Sequence, residues 1–381
     1  MGRYVAGEAP AMDQLVEASI KSIGAEIDAL GVPKLQGVVL GGGYGRGEGG
    51  VKSLELGVKS SELRVSSSGL GGESGEALSN DLDFFAVTEE GASHAEIAAI
   101  GTALAPVARR WTERLGVDVD FTVRTPWRLR HDQTRVMIQE LIHGYFDVTG
   151  KKGTEMFRGI EIRPPSVFPW SEAVRLLVNR GVGLLLAYER MQSSIRLRQG
   201  YGGQALNSQS AFAKASTFAE ATADKSADKP STLNPQPSTL NPFILRNINK
   251  CVLGAGDARL IARGDYRWRA EDRAAALDDR LYAAAVSWKF RPREEGVCSW
   301  DDAQAEWLKA VDEVMAAGRR GGEMRRTLYQ AVRWLVRRRT VGDWRTLGYG
   351  AVVRILLKLS PVVSARAPLP PSLRRDWEVF N

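Results

Sequence analysis

The chain has almost no sulfur chemistry to work with. Cys251 and Cys298 are its only cysteines, too few for a disulfide framework or a cysteine-based zinc site, and in keeping with a reducing compartment. Three histidines, His94, His131 and His143, lie without the spacing a metal site requires, so none is taken as a ligand or a nucleophile. Stretches of about 18 uninterrupted apolar residues, which a spanning helix needs, are also missing. Both LLVNRGVGLLLA and VVRILLKLSPVV are broken by basic residues. The first residues have no positive cluster leading into an apolar segment, and Ala6 stands where a myristoylation signal needs Ser or Thr. These absences lead to the expectation of a soluble, cytoplasmic protein with no membrane partner.

What is present is ordinary in proportion. With 381 residues, 44% hydrophobic and 25% charged, the chain is long enough for two domains with real cores. A formal net charge of +7 favours phosphate-rich partners. Much of the excess falls in the stretch RRGGEMRRTLYQAVRWLVRRRTVGDWR, which reads as a solvated helix face rather than a dedicated nucleic-acid module.

Two segments read as intrusions. Residues 51–79 begin with VKSLELG, VKSSELR and VSSSGLG, a seven-residue period that decays into Ser and Gly without the fixed flanking charges of a coiled coil. Residues 192–242 are rich in small polar residues and contain PSTLNP twice. Such compositions bury too little apolar surface to offset the entropy of ordering, so both segments are expected to be disordered insertions.

With these set aside, the remaining pattern is regular. Leu15, Val16, Ile20, Ile23, Ile27 and Leu30 mark an amphipathic helix, followed by the strand LQGVVL and a glycine turn. The strand NDLDFFAV, the helix SHAEIAAIGTALAPVARRWTERLG and the strand VDVDFTV complete a compact unit over residues 1–150. From residue 165 to 360 the pattern is helical: SEAVRLLVNRGVGLLLAYERM with Ser171 as its N-cap, FILRNINKCVLGAGDARLIARG ending on a glycine stop, DRAAALDDRLYAAAVSWKF, SWDDAQAEWLKAVDEVMAAG and EMRRTLYQAVRWLVRRR. The expected fold class is therefore α+β, a small mixed sheet flanked by helices followed by an all-α domain.

The glycine turn VVLGGGYGRGEGG carries the first chemical signal. No Gly-Lys-Ser/Thr follows, which excludes a Walker A loop. Gly45, Gly47 and Gly50 satisfy GxGxxG literally, yet a serine-rich repeat follows instead of a helix, which argues against a dinucleotide site. What remains is a loop whose amides can approach a phosphate, with Arg46 as a charged donor or as a brace for Glu48. Glu48 itself is read either as a holder of a metal-bound water or the acceptor, or as the partner of Arg46.

Downstream, Asp81 and Asp83 sit two apart on a strand, on one face and about 6.6 Å apart along the chain. Two like charges on one face invite cations. A second pair, Asp118 and Asp120, lies on the later strand; Asp120 is favoured as the third carboxylate because it directly precedes the apolar core of that strand, with Asp118 the alternative. Three such side chains can hold two Mg²⁺ ions about 4 Å apart, as in in-line displacement at phosphorus.

The order LGGGYGRGE, DLDFFAV, VDVDFTV resembles the nucleotidyltransferase domain of the DNA polymerase β superfamily, whose signature is a Gly-Gly or Gly-Ser pair, a short spacer, Asp-apolar-Asp and a later strand aspartate. Gly42 and Gly43 match the first pair, and Asp81 and Asp83 the metal pair. The spacer reaches the family's length once the repeats after Val51 are removed. Gly43 stands where many members have a serine, so the phosphate contact falls to backbone amides. IQELIHGYFDVTG is similar to the helix and short strand that close such bacterial domains, and SEAVRLLVNRGVGLLLA with GDARLIARGDYRW resembles the helical half of uncharacterised bacterial members.

The resemblance implies transfer of a nucleoside monophosphate from an NTP, ATP foremost, to an acceptor hydroxyl, with two Mg²⁺ ions as cofactors and release of pyrophosphate. Asp81, Asp83 and Asp120 would be catalytic and, with Asp118, metal-ligating. Gly42, Gly43, Tyr44, Arg46 and Glu48 would hold the nucleotide. A small molecule, a protein or an RNA end are all acceptable as acceptor, and a catalytically silent nucleotide-binding scaffold, acting as a regulator or toxin–antitoxin partner, is the alternative. Asn179, Arg180, Lys250, Asp257 and Tyr266 interrupt apolar helices and are read equally as cleft residues or as interhelical hydrogen bonds.

Overall fold

The computed structural model describes residues 2–53, 75–198, 241–320 and 344–380. Helix α1 (Pro10–Leu30) starts with proline in its first turn and stops at Gly31, whose φ of 54° provides a left-handed cap. Met12, Val16, Ile20, Ile23 and Ile27 are buried along one stripe. Strand β1 (Leu35–Leu40) follows, then the short helix α2 (Gly42–Gly45). Strands β2 (Val51–Ser53) and β3 (Glu76–Leu78) form a separate antiparallel pair. Next come β4 (Leu82–Thr88), α3 (His94–Leu115), β5 (Val119–Arg124), α4 (Pro126–His131), α5 (Val136–His143), β6 (Phe146–Gly150) and α6 (Gly153–Met156).

The main sheet has the order β5-β4-β1-β6, with β4 and β5 parallel and the other pairs antiparallel. The parallel pair requires a crossover, which α3 supplies, started by a capping box between Ser93 and Glu96. Val38, Leu40, Phe84 and Ala86 pack into the core beneath α1 and α3, while Val39, Phe85 and Val87 pack against α5 and α6 on the opposite face. Because both faces are covered, β1 and β4 read as continuous apolar runs rather than alternating ones.

The second half is helical: α7 (Trp170–Arg198), α8 (Pro242–Arg263), α9 (Ala270–Leu277), α10 (Arg280–Phe290), α11 (Trp300–Arg320), α12 (Trp344–Ser364) and α13 (Pro371–Phe380). Glycine lets large rings into this core. A side chain at Gly181 would collide with the Trp307 indole and one at Gly256 with the Tyr282 ring. The indoles of Trp307 and Trp300 donate to the carbonyls of Leu177 and Leu184 at 2.8 and 2.9 Å. The protein is thus a mixed α+β chain with a small mixed sheet flanked by helices, and no helix among the described residues is long and apolar enough to cross a membrane.

Several expectations are corrected. The segment 51–79 is not wholly an intrusion: Val51 and Leu78, both 1% exposed, pair directly and belong to the core, while residues 54–74 lie outside the described ones. Likewise α7 continues to Arg198, and α8 opens at Pro242 with the Asn241 side chain accepting from the Phe243 amide, so only 199–240 of the second segment lies outside. Ser171 is inside α7, not its N-cap. DRAAALDDRLYAAAVSWKF is two helices, because Asp278 adopts a left-handed φ of 50° and Asp279 caps α10 by accepting from the Leu281 and Tyr282 amides. The helical part runs past residue 360 to α13, and Val136 of α5 joins its core. The expected helix EMRRTLYQAVRWLVRRR lies outside the described residues.

Candidate active site

The glycine turn is set by backbone geometry. The Gly41 amide donates to the Asp83 carbonyl at 2.8 Å, and the Gly45 amide returns to the Gly41 carbonyl. Gly42 has φ of 61°, and a side chain there would run into the Asp83 carboxylate. Only glycine serves both conditions. The turn therefore lies directly over the acidic end of β4.

The carboxylates meet where β4 and β5 begin. Asp83 and Asp120 are direct partners in the parallel ladder. Asp81 immediately precedes β4, and Asp118 precedes β5 with its carbonyl accepting from the Leu82 amide at 2.9 Å. Burial, the Asp81 charge and the Asp120 charge push the Asp83 carboxyl up to about 6. Asp120 is raised by burial and by Asp81 and Asp118. Like charges have been brought together on one face, a costly arrangement that clusters at functional sites.

Counter-charge arrives from the helical half. Arg246 pairs with Asp81 and lies 3.6 Å from Asp118, while Lys250 approaches Asp81 at 3.8 Å. Burial and the neighbouring Arg246 lower the Lys250 ammonium to about 8, Asp81 opposes them, and Arg180 adds to the repulsion. The cleft therefore has an acidic floor from the sheet and a cationic wall from α8. As the side chains stand, no group of three His, Cys, Asp or Glu residues among those described converges on one metal position.

The remaining turn residues are engaged elsewhere. Tyr44 is fully buried, and its hydroxyl donates to the Gly50 carbonyl at 3.0 Å. Arg46 is held between Glu48 at 3.4 Å and Glu140 at 3.3 Å. Glu48 also receives the Lys289 ammonium at 3.3 Å and the Ala270 amide at 2.7 Å. Of the two roles considered for Arg46 and Glu48, the structure displays the internal ion pair. Gly43 packs against the backbone of Glu48.

Asp257 accepts from Tyr282 at 2.5 Å and pairs with Arg273 at 3.0 Å, Tyr266 donates to Glu140 at 2.6 Å, and Asn179 accepts from Trp377 at 2.9 Å. All three are interhelical or interdomain contacts. Lys250 reaches Asp81, while Arg180 packs against α8 at Gly254. Two contributors escaped sequence reasoning. Arg246 carried a signal, since it lies one helical turn before Lys250 on the same face. Glu140, a lone carboxylate in the apolar run VMIQELIH, was the other. His143 stacks on Trp268 and His131 on Trp127, and neither belongs to the acidic cluster.

Comparison with protein-family models, with characterised proteins and with solved structures finds no match to this chain.

Proposed function

We propose that the protein is a Mg²⁺-dependent nucleotidyltransferase of the DNA polymerase β type, moving a nucleoside monophosphate from an NTP, ATP foremost, to an acceptor hydroxyl. The observation that supports it most is the pairing of Asp83 with Asp120 across a parallel ladder, beside Asp81 and under Gly42. Carboxylate oxygens suit hard divalent cations, and the missing side chain at Gly42 lets the Asp83 carboxylate lie directly against the glycine turn. Asp81, Asp83 and Asp120 would hold the cations, with Asp118 at the rim; the ions, when bound, neutralise phosphate charge and polarise the reacting phosphorus.

The chain's own residues supply the rest. Arg246 and Lys250, both paired with Asp81, would supply the positive charge that holds the triphosphate. The amides of Gly42 and Gly43 face the same phosphates. The acceptor oxygen attacks the α-phosphorus and its bond to the β-phosphate oxygen breaks, so pyrophosphate leaves. Asp120, whose proton affinity is raised by burial and by Asp81 and Asp118, takes the hydroxyl proton.

Incubation with each labelled NTP, Mg²⁺ and cell extract tests the reading, with transfer of label and pyrophosphate release as the expected result. Fractionating the labelled product into small-molecule, protein and RNA pools identifies the acceptor class. One observation favours a second reading, a catalytically silent nucleotide-binding scaffold: Arg246 already occupies Asp81, and the acidic groups do not converge. That protein would bind nucleotide and release no pyrophosphate.

A further inference from the structure

The cleft is flanked by a buried network of charged groups that the transfer step does not use. Glu140, from α5, accepts from the Tyr266 hydroxyl at 2.6 Å and pairs with Arg46 at 3.3 Å and Arg273 at 3.4 Å. Arg273 donates in turn to the carbonyls of Arg267 and Trp268 at 2.9 and 3.1 Å and to Tyr282 at 3.2 Å. On the other side of Arg46, Glu48 takes Lys289 and the Ala270 amide. Arg46 and Glu48 belong to the glycine turn, whereas residues 266–289 belong to the helical half. The same helices brace α8, since Asn249 donates to the Ala285 carbonyl at 3.2 Å and Asp257 receives the Tyr282 hydroxyl.

Both walls of the cleft are therefore referred to one set of ion pairs. The turn places Gly42 over Asp83, and α8 places Arg246 and Lys250 over Asp81. Glu140 is the carboxylate through which the turn's arginine is tied to Tyr266 and Arg273. Its substitution removes that tie without touching any cleft carboxylate or either α8 cation.

We propose that Glu140 is a positioning residue, which through Arg46 fixes the glycine turn, and hence the opening between Asp83 and the α8 cations, relative to the helical half. The role as a setter of nucleotide geometry rests on the proposed transfer reaction; the mechanical coupling does not.

Hydrogen exchange on the full chain without nucleotide tests the coupling directly. Glu140→Gln keeps the size of the side chain and an acceptor for Tyr266 but removes the charge shared by Arg46 and Arg273. Amide exchange is expected to accelerate about ten-fold or more across residues 41–50 and 266–273, with α3 and α11 unchanged. Unchanged exchange across residues 41–50, or equal acceleration everywhere, overturns the proposal. Should Glu140→Gln fail to fold, Arg46→Lys is read the same way, because one ammonium does not bridge Glu48 and Glu140 as a guanidinium does. In an active enzyme Glu140→Gln is further expected to raise KM for the NTP about ten-fold with kcat changed less, as a shifted binding wall demands. A wild-type protein that releases no pyrophosphate sinks the transfer reading and leaves the exchange experiment to decide this one.

Discussion

Two sets of carboxylates lie near the junction of the sheet and the helices, and they are treated in opposite ways. At the cleft, Asp81, Asp83, Asp118 and Asp120 are gathered on neighbouring strand ends, and burial with mutual repulsion drives Asp83 up to about 6. In the adjoining network, burial also works against the ionised forms of Glu48 and Glu140. Lys289, Arg46 and Arg273 around Glu48, and Arg46, Arg273 and the Tyr266 hydroxyl around Glu140, outweigh it, and both carboxyls are held below their usual range. Asp81 and Asp118 share Arg246 at the rim, Asp83 and Asp120 have no ion pair among the described residues, and the network carboxylates Glu48 and Glu140 have two each. The contrast teaches that acidic residues at one junction differ in proton affinity according to whether the fold brings them a cationic partner.

The strongest way to break that division is through the cleft. Under the proposed transfer reaction, Asp83→Asn is expected to cut pyrophosphate release by about a thousand-fold or more, since a carboxylate proposed to hold the cations would be lost, with far-ultraviolet circular dichroism unchanged. Near-normal turnover would remove Asp83 from the site. Next in size is Glu140→Ala, which takes one of two carboxylate partners from each of Arg46 and Arg273, leaving them Glu48 and Asp257, and should destabilise the fold by about 3 kcal/mol in denaturant titration. A change below about 1 kcal/mol would mean that water reaches the network.

The opposite sign is expected for Asp83→Asn in the metal-free protein. Because the folded pKa of Asp83 lies near 6, above its ordinary 3.8, its favourable contribution is present below pH 4 and lost as pH rises through 6. At pH 8 the substitution should therefore stabilise by about 1–3 kcal/mol, and at pH 4 by much less. Glu48 and Glu140 behave in reverse, contributing above their ordinary 4.5 and failing as pH falls through their lowered values. Unfolding midpoints of Asp83→Asn and wild type between pH 4 and 8 check this, and parallel curves would refute it. The smallest effect concerns Arg246→Ala. Freeing Asp81 should tighten Mn²⁺ binding by about ten-fold while weakening NTP binding, both measurable by calorimetry, and unchanged Mn²⁺ affinity would show that Arg246 does not compete for Asp81.

The elements of the sheet were legible because β1, α1, α3 and β4 each declare a period or a continuous apolar run, and both aspartate pairs stand in the text itself. The parallel pairing that sets Asp83 opposite Asp120 was not, because register depends on which strands meet. Arg46 illustrates the second limit. A glycine-rich turn with one arginine reads locally as a phosphate cradle, yet Glu140, remote in sequence, pairs with that arginine and turns it inward. The break at Asp278 shows the third: a residue ordinarily tolerated in a helix adopts a left-handed conformation because Asp279 offers the next helix a cap. Glu140 was invisible for a similar reason, and Arg246 showed only its helical alignment with Lys250, since a charged residue on a helix discloses its partner only in three dimensions.

The little hairpin of β2 and β3 closes residues 54–74 at their base, with Val51 and Leu78 in register. Strands so paired hold their ends about 5 Å apart whatever lies between them, and the entropy of closing a loop rises only with the logarithm of its length. A longer connection between Ser53 and Glu76 would accordingly add little entropic cost to closure, and a reporter domain grafted there would sit on a base already paired in register.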